Sequence, residues 1–214
     1  MTELFLPAKA YLLACDVAKG KLRDRHRASL LIRGAAMTDL ALRGRVTDAD
    51  GRVAVSGAGQ TGDLVLDELL AEMAGERPRK WKWWVRKNAR GTLESLESRL
   101  EAAGVIELET GRTLGLFPSR RPMVRDPAVV ERLRALVDQA LRGSSPVSDV
   151  DAALTALVAA VELRDVIPGR DRRRYKDRLK ELNEQGGDAV PALRELFKEM
   201  RAVQATVASS HGGS

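Results

Sequence analysis

The sequence predicts a mainly α-helical protein, with a single helical domain over residues 1–207 and two short β-hairpins, the second following a helix in a winged-helix-like arrangement. Apolar residues recur at spacings of three and four along most of the chain, which is the helical pattern. Strand-like alternation is confined to two places, each around a turn signature. The 214 residues, 44% of them hydrophobic, are enough to bury a core. The polar tail 208–214 is expected to be disordered.

The first part of the chain predicts a short helix over residues 7–15 and a longer one over 28–42. The longer helix is apolar on most sides, so we expect it to be the central, buried helix, and Gly44 is placed to end it. Asp-Ala-Asp-Gly at residues 48–51 then lies between two β-branched runs, which predicts the first hairpin.

The middle of the chain predicts two more helices and the second hairpin. Asp63 is suited to begin a helix that Gly75 stops, and the next predicted helix ends at Gly104. Residues 105–117 alternate around a central Thr-Gly pair, which predicts the second hairpin.

The remainder of the chain is predicted to be helical. Asp126-Pro127 supplies a helix cap followed by proline in the first turn. Two further amphipathic patterns cover residues 150–161 and 190–203, separated by the basic run 169–180.

The balance of charge points to an anionic partner. Lysine and arginine total 36 against 30 acidic residues, and the pI is about 9.8, which favours phosphate-bearing partners of either kind, nucleic acid or lipid. Cys15 is the single cysteine and has no partner for an internal disulfide. The N-terminal residues lack the basic segment of a signal peptide, and no apolar run reaches the ~20 residues of a membrane span. We therefore expect a cytoplasmic protein, and we expect any contact with a membrane to be peripheral.

A glycine motif, formed by Gly57, Gly59 and Gly62, matches the GxGxxG pattern of dinucleotide-binding loops. Such a loop binds pyrophosphate within a βαβ unit, whose second strand should follow within ~30 residues. The sequence after the next helix predicts no such strand. We therefore interpret the motif as a turn and helix cap, and we expect no cofactor.

The sequence contains no recognisable catalytic or metal-binding constellation. His26 lies in a basic stretch, His211 lies in the predicted tail, and Cys15 has no histidine placed near it. Zinc sites need clustered ligands at fixed spacing. We predict no metal site, no catalytic residues and no enzymatic activity.

Residues 62–117 permit an alternative, a winged-helix-like DNA-binding protein, because helix, helix and hairpin occur there in that order. The recognition helix would be 92–103. Glu94, Glu97 and Glu101 recur at helical spacing and predict an acidic face, where a helix in the DNA groove needs lysine or arginine. The sequence therefore disfavours nucleic acid as the partner.

A tryptophan cluster has two interpretations from the sequence. Trp81, Trp83 and Trp84 are interleaved with lysines and arginines, which suits an interfacial membrane anchor. Burial in the core is the alternative, and we expect it for at least one of the three.

Arg33 places a charge inside an apolar helix, where it requires a partner. One interpretation is a pocket through which Arg33 reaches an anionic ligand. The other is a salt bridge to a buried carboxylate such as Asp63 or Asp67.

Three segments resemble the Golgi phosphoprotein 3 family. Residues 32–46 read IRGAAMTDLALRGRV and residues 60–70 read QTGDLVLDELL, where the family motifs read like LRGxxxxELALRGR and PTGDxLLDEAL. Residues 99–106, RLEAAGVI, are similar to the family's LxxxGVL before its second hairpin. The order and spacing agree over residues 8–205.

The resemblance implies a mostly helical domain that binds phosphatidylinositol 4-phosphate at a basic pocket and attaches peripherally to membranes. Eukaryotic members of the family are adaptors that retain glycosyltransferases in the Golgi, and they are not enzymes. This short, arginine-rich chain is more similar to the bacterial branch, for which the resemblance implies no particular function or partner.

The family's lipid pocket maps in part onto this sequence. The pocket arginine of the central helix falls on Arg33, and the first of two basic residues before the second hairpin falls on Arg90. Leu93 occupies the second basic position, and the pocket tryptophan falls near Asp24, so the chain departs from the family at both. Nearby basic residues are expected to supply charge near an anionic surface: Arg23, Arg25, Arg27, Arg86 and Lys87.

In the family the second hairpin projects and serves membrane contact or self-association. Here Leu114, Leu116 and Phe117 would supply its apolar tip, flanked by arginines. The resemblance thus implies membrane contact or a homo-oligomer through this hairpin, and ordinary packing against the domain is the alternative.

Overall fold

A computed structural model of the chain describes residues 4–57, 59–113, 117–143, 145–187 and 189–211, with the backbone alone at 110–113, 117–120 and 201–211. These residues are mainly helical and contain three two-stranded antiparallel sheets, which confirms the predicted fold class. No helix within these ranges is long and apolar enough to cross a membrane.

The helices and strands follow one another as the sequence predicted in outline. The helices are α1 Leu6–Ala14, α2 Arg25–Leu42, α3 Leu64–Ala74, α4 Trp81–Arg86, α5 Ala89–Ala102, α6 Pro127–Arg142, α7 Asp149–Ala160, α8 Gly169–Arg174, α9 Lys176–Gln185 and α10 Ala189–His211. The strands are β1 Cys15–Asp16, β2 Lys21–Leu22, β3 Val46–Ala49, β4 Arg52–Val55, β5 Ile106–Thr113 and β6 Phe117–Val124.

Helix α2 is the central helix, as predicted. Its residues 28–40 are all buried, and it packs against α1, α5, α7 and α10. Asp24 caps its first turn, accepting a hydrogen bond of 2.9 Å from the backbone N–H of Arg27. The helix therefore begins before the apolar run that predicted it, because a cap and not an apolar residue sets its start.

The core consists of two clusters of buried side chains. The larger cluster joins α1, α2 and α5 to α6, α7 and α10. In the smaller cluster, the second half of α2 meets α3, α4 and the first hairpin. Helix α2 contributes to both clusters and therefore connects them.

The first hairpin pairs β3 with β4, in the place that the sequence predicted. Val46 pairs with Val55, and Ala49 pairs with Arg52 across the turn. Asp50 and Gly51 form that turn with φ of +54° and +74°. Two successive positive φ values match the twist of the flanking strands, which is why Asp-Gly is favoured there.

The glycine motif leads into a capped helix. Asp63 Oδ1 accepts hydrogen bonds from the backbone N–H groups of Val65 at 2.9 Å and Leu66 at 3.2 Å. After α3 the chain continues into α4, and every named strand in the described ranges pairs antiparallel to its neighbour. The interpretation of this segment as a turn and helix cap is confirmed.

The second hairpin is longer than predicted. Strands β5 and β6 pair from Ile106 and Val124 at the base to Thr113 and Phe117. We expected the turn at the Thr-Gly pair of residues 110–111, but this pair lies within β5. Continuous strand pairing outweighs the turn preference of a single Thr-Gly pair. The predicted tip is outside the described residues: Leu114 and Leu116 are not described, and Phe117 is described by its backbone alone.

The last part of the chain is helical, as predicted, and the helices include the basic run. The basic run 169–180, expected to separate two helices, folds into α8 and the first half of α9. Leu179 and Leu182 are buried and attach α9 to the domain. Helix α10 continues to His211, past the start of the predicted tail at residue 208.

Candidate anion-binding pocket

A pocket of about 400 Å³ opens where the start of α2 meets the junction of α4 and α5 and the side of α10. Leu30 and Leu196 are buried apolar residues that form part of its lining, next to the half-buried Met200. The polar lining residues are His26, Ser29, Arg86, Asn88 and Arg90. The pocket thus combines apolar surface with a cationic rim.

The junction between α4 and α5 places two arginines beside the same pocket. Helix α4 ends at Arg86, and Asn88 takes the left-handed conformation, with φ of +52°, before α5 begins. Asparagine tolerates this conformation better than most residues do. A Cβ at Gly91 would lie 2.3 Å from Asn88 Oδ1, so glycine leaves room for that side chain. Arg86 and Arg90, on either side of this tight turn, both line the pocket although they belong to different helices.

Both arginines hold exposed ion pairs that water can readily replace. The Arg90 side chain is 85% exposed, and its Nε donates to Glu94 Oε1 at 2.9 Å, one turn along α5. The Arg86 side chain is 55% exposed, and its Nη2 lies 3.3 Å from Glu199 Oε2 on α10. A hydrogen bond from Lys82 lowers the pKa of Glu199. Because exposed pairs are weak and screened, a phosphate can displace these carboxylates.

The wall formed by α2 contributes His26 and Ser29. The His26 side chain is exposed, and Ser29 is buried and donates from Oγ to the His26 carbonyl at 2.7 Å. Sequence reasoning did not assign either residue to a site. His26 and Ser29 are three residues apart, and Ser29 precedes Arg33 by one turn. This helical spacing places all three residues on one face of α2, and it is the sequence signal for the two that were missed.

Arg33 itself lies one turn further along α2 and is buried. Its side chain is 1% exposed, and three of its donors are used within the protein. Nε donates to the Trp84 carbonyl at 3.0 Å, Nη1 to Thr92 Oγ1 at 2.9 Å and Nη2 to Glu72 Oε2 at 3.0 Å. Burial lowers the pKa of Arg33, and Glu72 opposes that shift. The structure therefore brings Arg90 to the pocket, whereas Arg33 is engaged in the core.

The salt-bridge alternative for Arg33 holds, but with a different partner from those we named. Asp63 caps α3 and lies 3.1 Å from Arg99 Nε. Asp67 Oδ1 accepts from the backbone N–H of Thr61 at 2.7 Å. Both carboxylates are engaged at the start of α3, and Glu72 at its other end is the one that reaches Arg33.

Four of the five expected supporting cations are not among the residues that line this pocket: Arg23, Arg25, Arg27 and Lys87. Arg27 donates to the Val161 carbonyl at 2.9 Å and lies over the Phe197 ring, 5.2 Å from its centroid. Lys87 binds Glu76 and lies 4.7 Å from the centroid of Trp83. Among the basic residues expected to support the site, the structure assigns Arg86 to the pocket.

Arg25 binds Glu97, a buried carboxylate that we wrongly expected on an exposed acidic face of α5. Glu97 is 0% exposed, its two oxygens lie 2.7 and 2.5 Å from Nη1 and Nη2 of Arg25, and Tyr11 donates to Oε1 at 3.2 Å. Glu97, the middle one of the three glutamates expected on an acidic face of α5, therefore lies in the core. Leu93 and Leu100 are buried on either side of Glu97 in sequence, a spacing that places all three on one face.

The tryptophans divide between core and surface. Trp84 is 1% exposed and Trp81 is 8% exposed, and Trp81 Nε1 donates to Asp48. Trp83 is half-buried and packs edge-to-face on Trp84, with centroids 4.8 Å apart. Arg79 lies over the Trp83 ring at 5.2 Å. The core interpretation is thus confirmed for two of the three.

Comparison with known proteins covers nearly the whole chain. A family model described as Golgi phosphoprotein 3 (GPP34) matches residues 6–200. A search of curated proteins finds no match. The matched range includes α1 to α9, the first half of α10 and every residue that lines the pocket.

Proposed function

Because the chain belongs to the Golgi phosphoprotein 3 (GPP34) family, we propose that it binds the phosphate of an anionic phospholipid head group in the pocket between α2, the α4–α5 junction and α10. The observation that carries this proposal is the approach of Arg86 and Arg90 to one open pocket, each held by an exposed ion pair. The family resemblance favours phosphatidylinositol 4-phosphate as the lipid.

Two guanidinium groups on one phosphate suit the chemistry of head-group recognition. Guanidinium presents planar N–H donors that match phosphate oxygens, and charge-assisted hydrogen bonds contribute about 1.5–3 kcal/mol each. Three apolar residues, Leu30, Leu196 and Met200, line the same pocket beside the polar ones. Such a lining supports contact at a membrane interface.

Arg33 supports this function from within the core. It connects α2 to the Trp84 carbonyl of α4 and to Thr92 of α5, on both sides of the turn that carries Arg86 and Arg90. We therefore assign Arg33 a positioning role, in place of direct contact with the phosphate. Leu93 occupies the position of the family's second basic residue and is buried. In this proposal Arg86 supplies the second guanidinium at the pocket in its place.

The proposal describes a binding module that acts without catalysis at the inner face of the membrane. A role as an adaptor, and membrane contact or self-association through the second hairpin, rest on the family resemblance. Helix α5, the recognition helix of the DNA-binding alternative, packs against α2, α3 and β5, which leaves DNA binding with little support.

Co-sedimentation with vesicles tests the proposal. The wild-type protein should pellet with phosphatidylcholine vesicles that contain phosphatidylinositol 4-phosphate and remain in solution with phosphatidylcholine alone. Binding should weaken as salt is raised, because the surrounding cations act through screened charge. Equal recovery in both pellets, or none in either, would reject the proposal.

A further inference from the structure

A second concavity, of about 770 Å³, lies between the end of α7, helices α8 and α9, and α10. Seven of its fourteen lining residues are arginine or lysine and two are acidic, so cations dominate the lining. We call this concavity the basic groove. One of the two acids, Glu162, is only 8% exposed and is bound by Arg172, whose Nη2 lies 3.0 Å from Glu162 Oε1. The other acid, Asp177, is exposed, so one exposed carboxylate faces the groove among seven lining cations.

Three cations of the basic groove have no acidic partner among the described residues. Arg173, Lys176 and Arg194 are exposed, and no described carboxylate lies within ion-pair distance of them. Arg86 and Arg90 of the first pocket differ in this respect, since each holds a glutamate. A concavity lined by one sign of charge concentrates the field and attracts counter-ions.

Helix α10 separates the basic groove from the first pocket. Arg194 lines the groove, and Leu196 lines the pocket. At ~100° per residue, positions two apart on a helix lie about 200° apart around its axis. The two sites therefore lie on different sides of α10 and can be tested independently.

Size and composition define the class of ligand. The groove falls within the ~300–1,000 Å³ of small-molecule sites, and its concave form does not match a flat bilayer surface. Its apolar lining is restricted to two alanines and Leu179. From these features we infer that the basic groove binds a small ligand with two or more phosphate groups. Such phosphates can be free in solution or part of a lipid head group.

Calorimetric titration with inorganic tripolyphosphate at physiological salt tests this inference. Wild type should bind saturably, and Arg173→Glu combined with Lys176→Glu should weaken binding by about tenfold or more. A variant with the same change in net charge, Arg77→Glu with Arg132→Glu, replaces exposed residues outside both sites and should bind within about twofold of wild type. Arg86→Ala with Arg90→Ala should also bind normally, which separates this inference from the proposed function.

Vesicles that contain a doubly phosphorylated phosphoinositide identify the source of the phosphates. Competition between tripolyphosphate and these vesicles supports a lipid source, and tripolyphosphate binding without competition supports a soluble ligand. Arg194→Glu, on a different helix, should reproduce the loss if the double variant proves unstable by circular dichroism. The inference is overturned if wild type does not bind tripolyphosphate, or if the control variant loses binding equally. The inference is also overturned if the groove variants weaken vesicle binding while wild type does not bind tripolyphosphate. That result would show that the basic groove contacts the membrane surface and does not bind a small ligand.

Discussion

Nη2 of Arg33 lies 3.0 Å from Oε2 of Glu72, and this part-buried ion pair joins the central helix α2 to the end of α3. The same guanidinium bonds the Trp84 carbonyl and Thr92, so four helices meet at one side chain. The charge that first suggests a ligand site thus has a structural role, and the pocket that we propose as the anion site begins one helical turn away, at Ser29.

Arg33→Ala should destabilise the protein by about 3 kcal/mol, because it removes a buried guanidinium and the three hydrogen bonds that it donates to Trp84, Thr92 and Glu72. Urea denaturation measures this change. Arg33→Met combined with Glu72→Leu should recover part of the loss, since both charges are then absent. A stable Arg33→Ala protein that no longer binds anionic vesicles would instead make Arg33 a direct ligand.

Glu97→Gln should destabilise the protein by about 2 kcal/mol, because Arg25 and Tyr11 both bond to this buried carboxylate. Glu131→Gln is the matched control. The Glu131 side chain is 70% exposed, so its replacement should change stability by less than about 0.5 kcal/mol. Equal unfolding midpoints for the two variants would show that the buried pair contributes nothing.

Stability should fall in alkaline solution because of Cys15. Burial, with Glu97 nearby, raises the pKa of its thiol from 9.0 to about 12. Between these values the unfolded chain has lost a proton that the folded protein retains, so the free energy of unfolding decreases as pH rises. Burial also raises the pKa of Tyr11, which acts in the same direction. Urea titrations at a series of pH values should show a shallower decline for Cys15→Ala, and identical slopes would contradict this assignment.

The second hairpin provides a test of the family resemblance. Leu116→Asp with Phe117→Asp should shift the sedimentation profile or weaken vesicle binding, while helicity measured by circular dichroism stays the same. If neither property changes, the hairpin only packs against the domain.

Local features of the fold were predictable because adjacent residues encode them. Asp63 caps α3 through backbone groups two and three residues away, and the Asp-Gly turn at residues 50–51 closes the first hairpin. The Thr-Gly pair of β5 was a misleading local signal, because pairing with the opposite strand decides where that hairpin turns.

The partners of buried charges could not be predicted in the same way. Arg33 and Glu72 are 39 residues apart, and Arg25 and Glu97 are 72 apart. Which carboxylate meets which guanidinium depends on how distant helices pack, and amphipathic spacing alone does not specify it. The family resemblance predicts Arg90 at the pocket. His26 and Asn88 line it because the start of α2 lies next to the α4–α5 turn in the folded protein, and this contact between distant segments is not encoded locally.

The most direct test of the account is the affinity of Arg86→Ala with Arg90→Ala for vesicles that contain phosphatidylinositol 4-phosphate. Arg77→Ala with Arg132→Ala is the control, since it removes the same charge from exposed positions outside both sites. The pocket variant should keep its helicity and bind about tenfold more weakly or worse, and the control should bind like wild type. Equal vesicle binding by wild type and a folded pocket variant would contradict the account, and DNA binding by that variant would favour the winged-helix alternative.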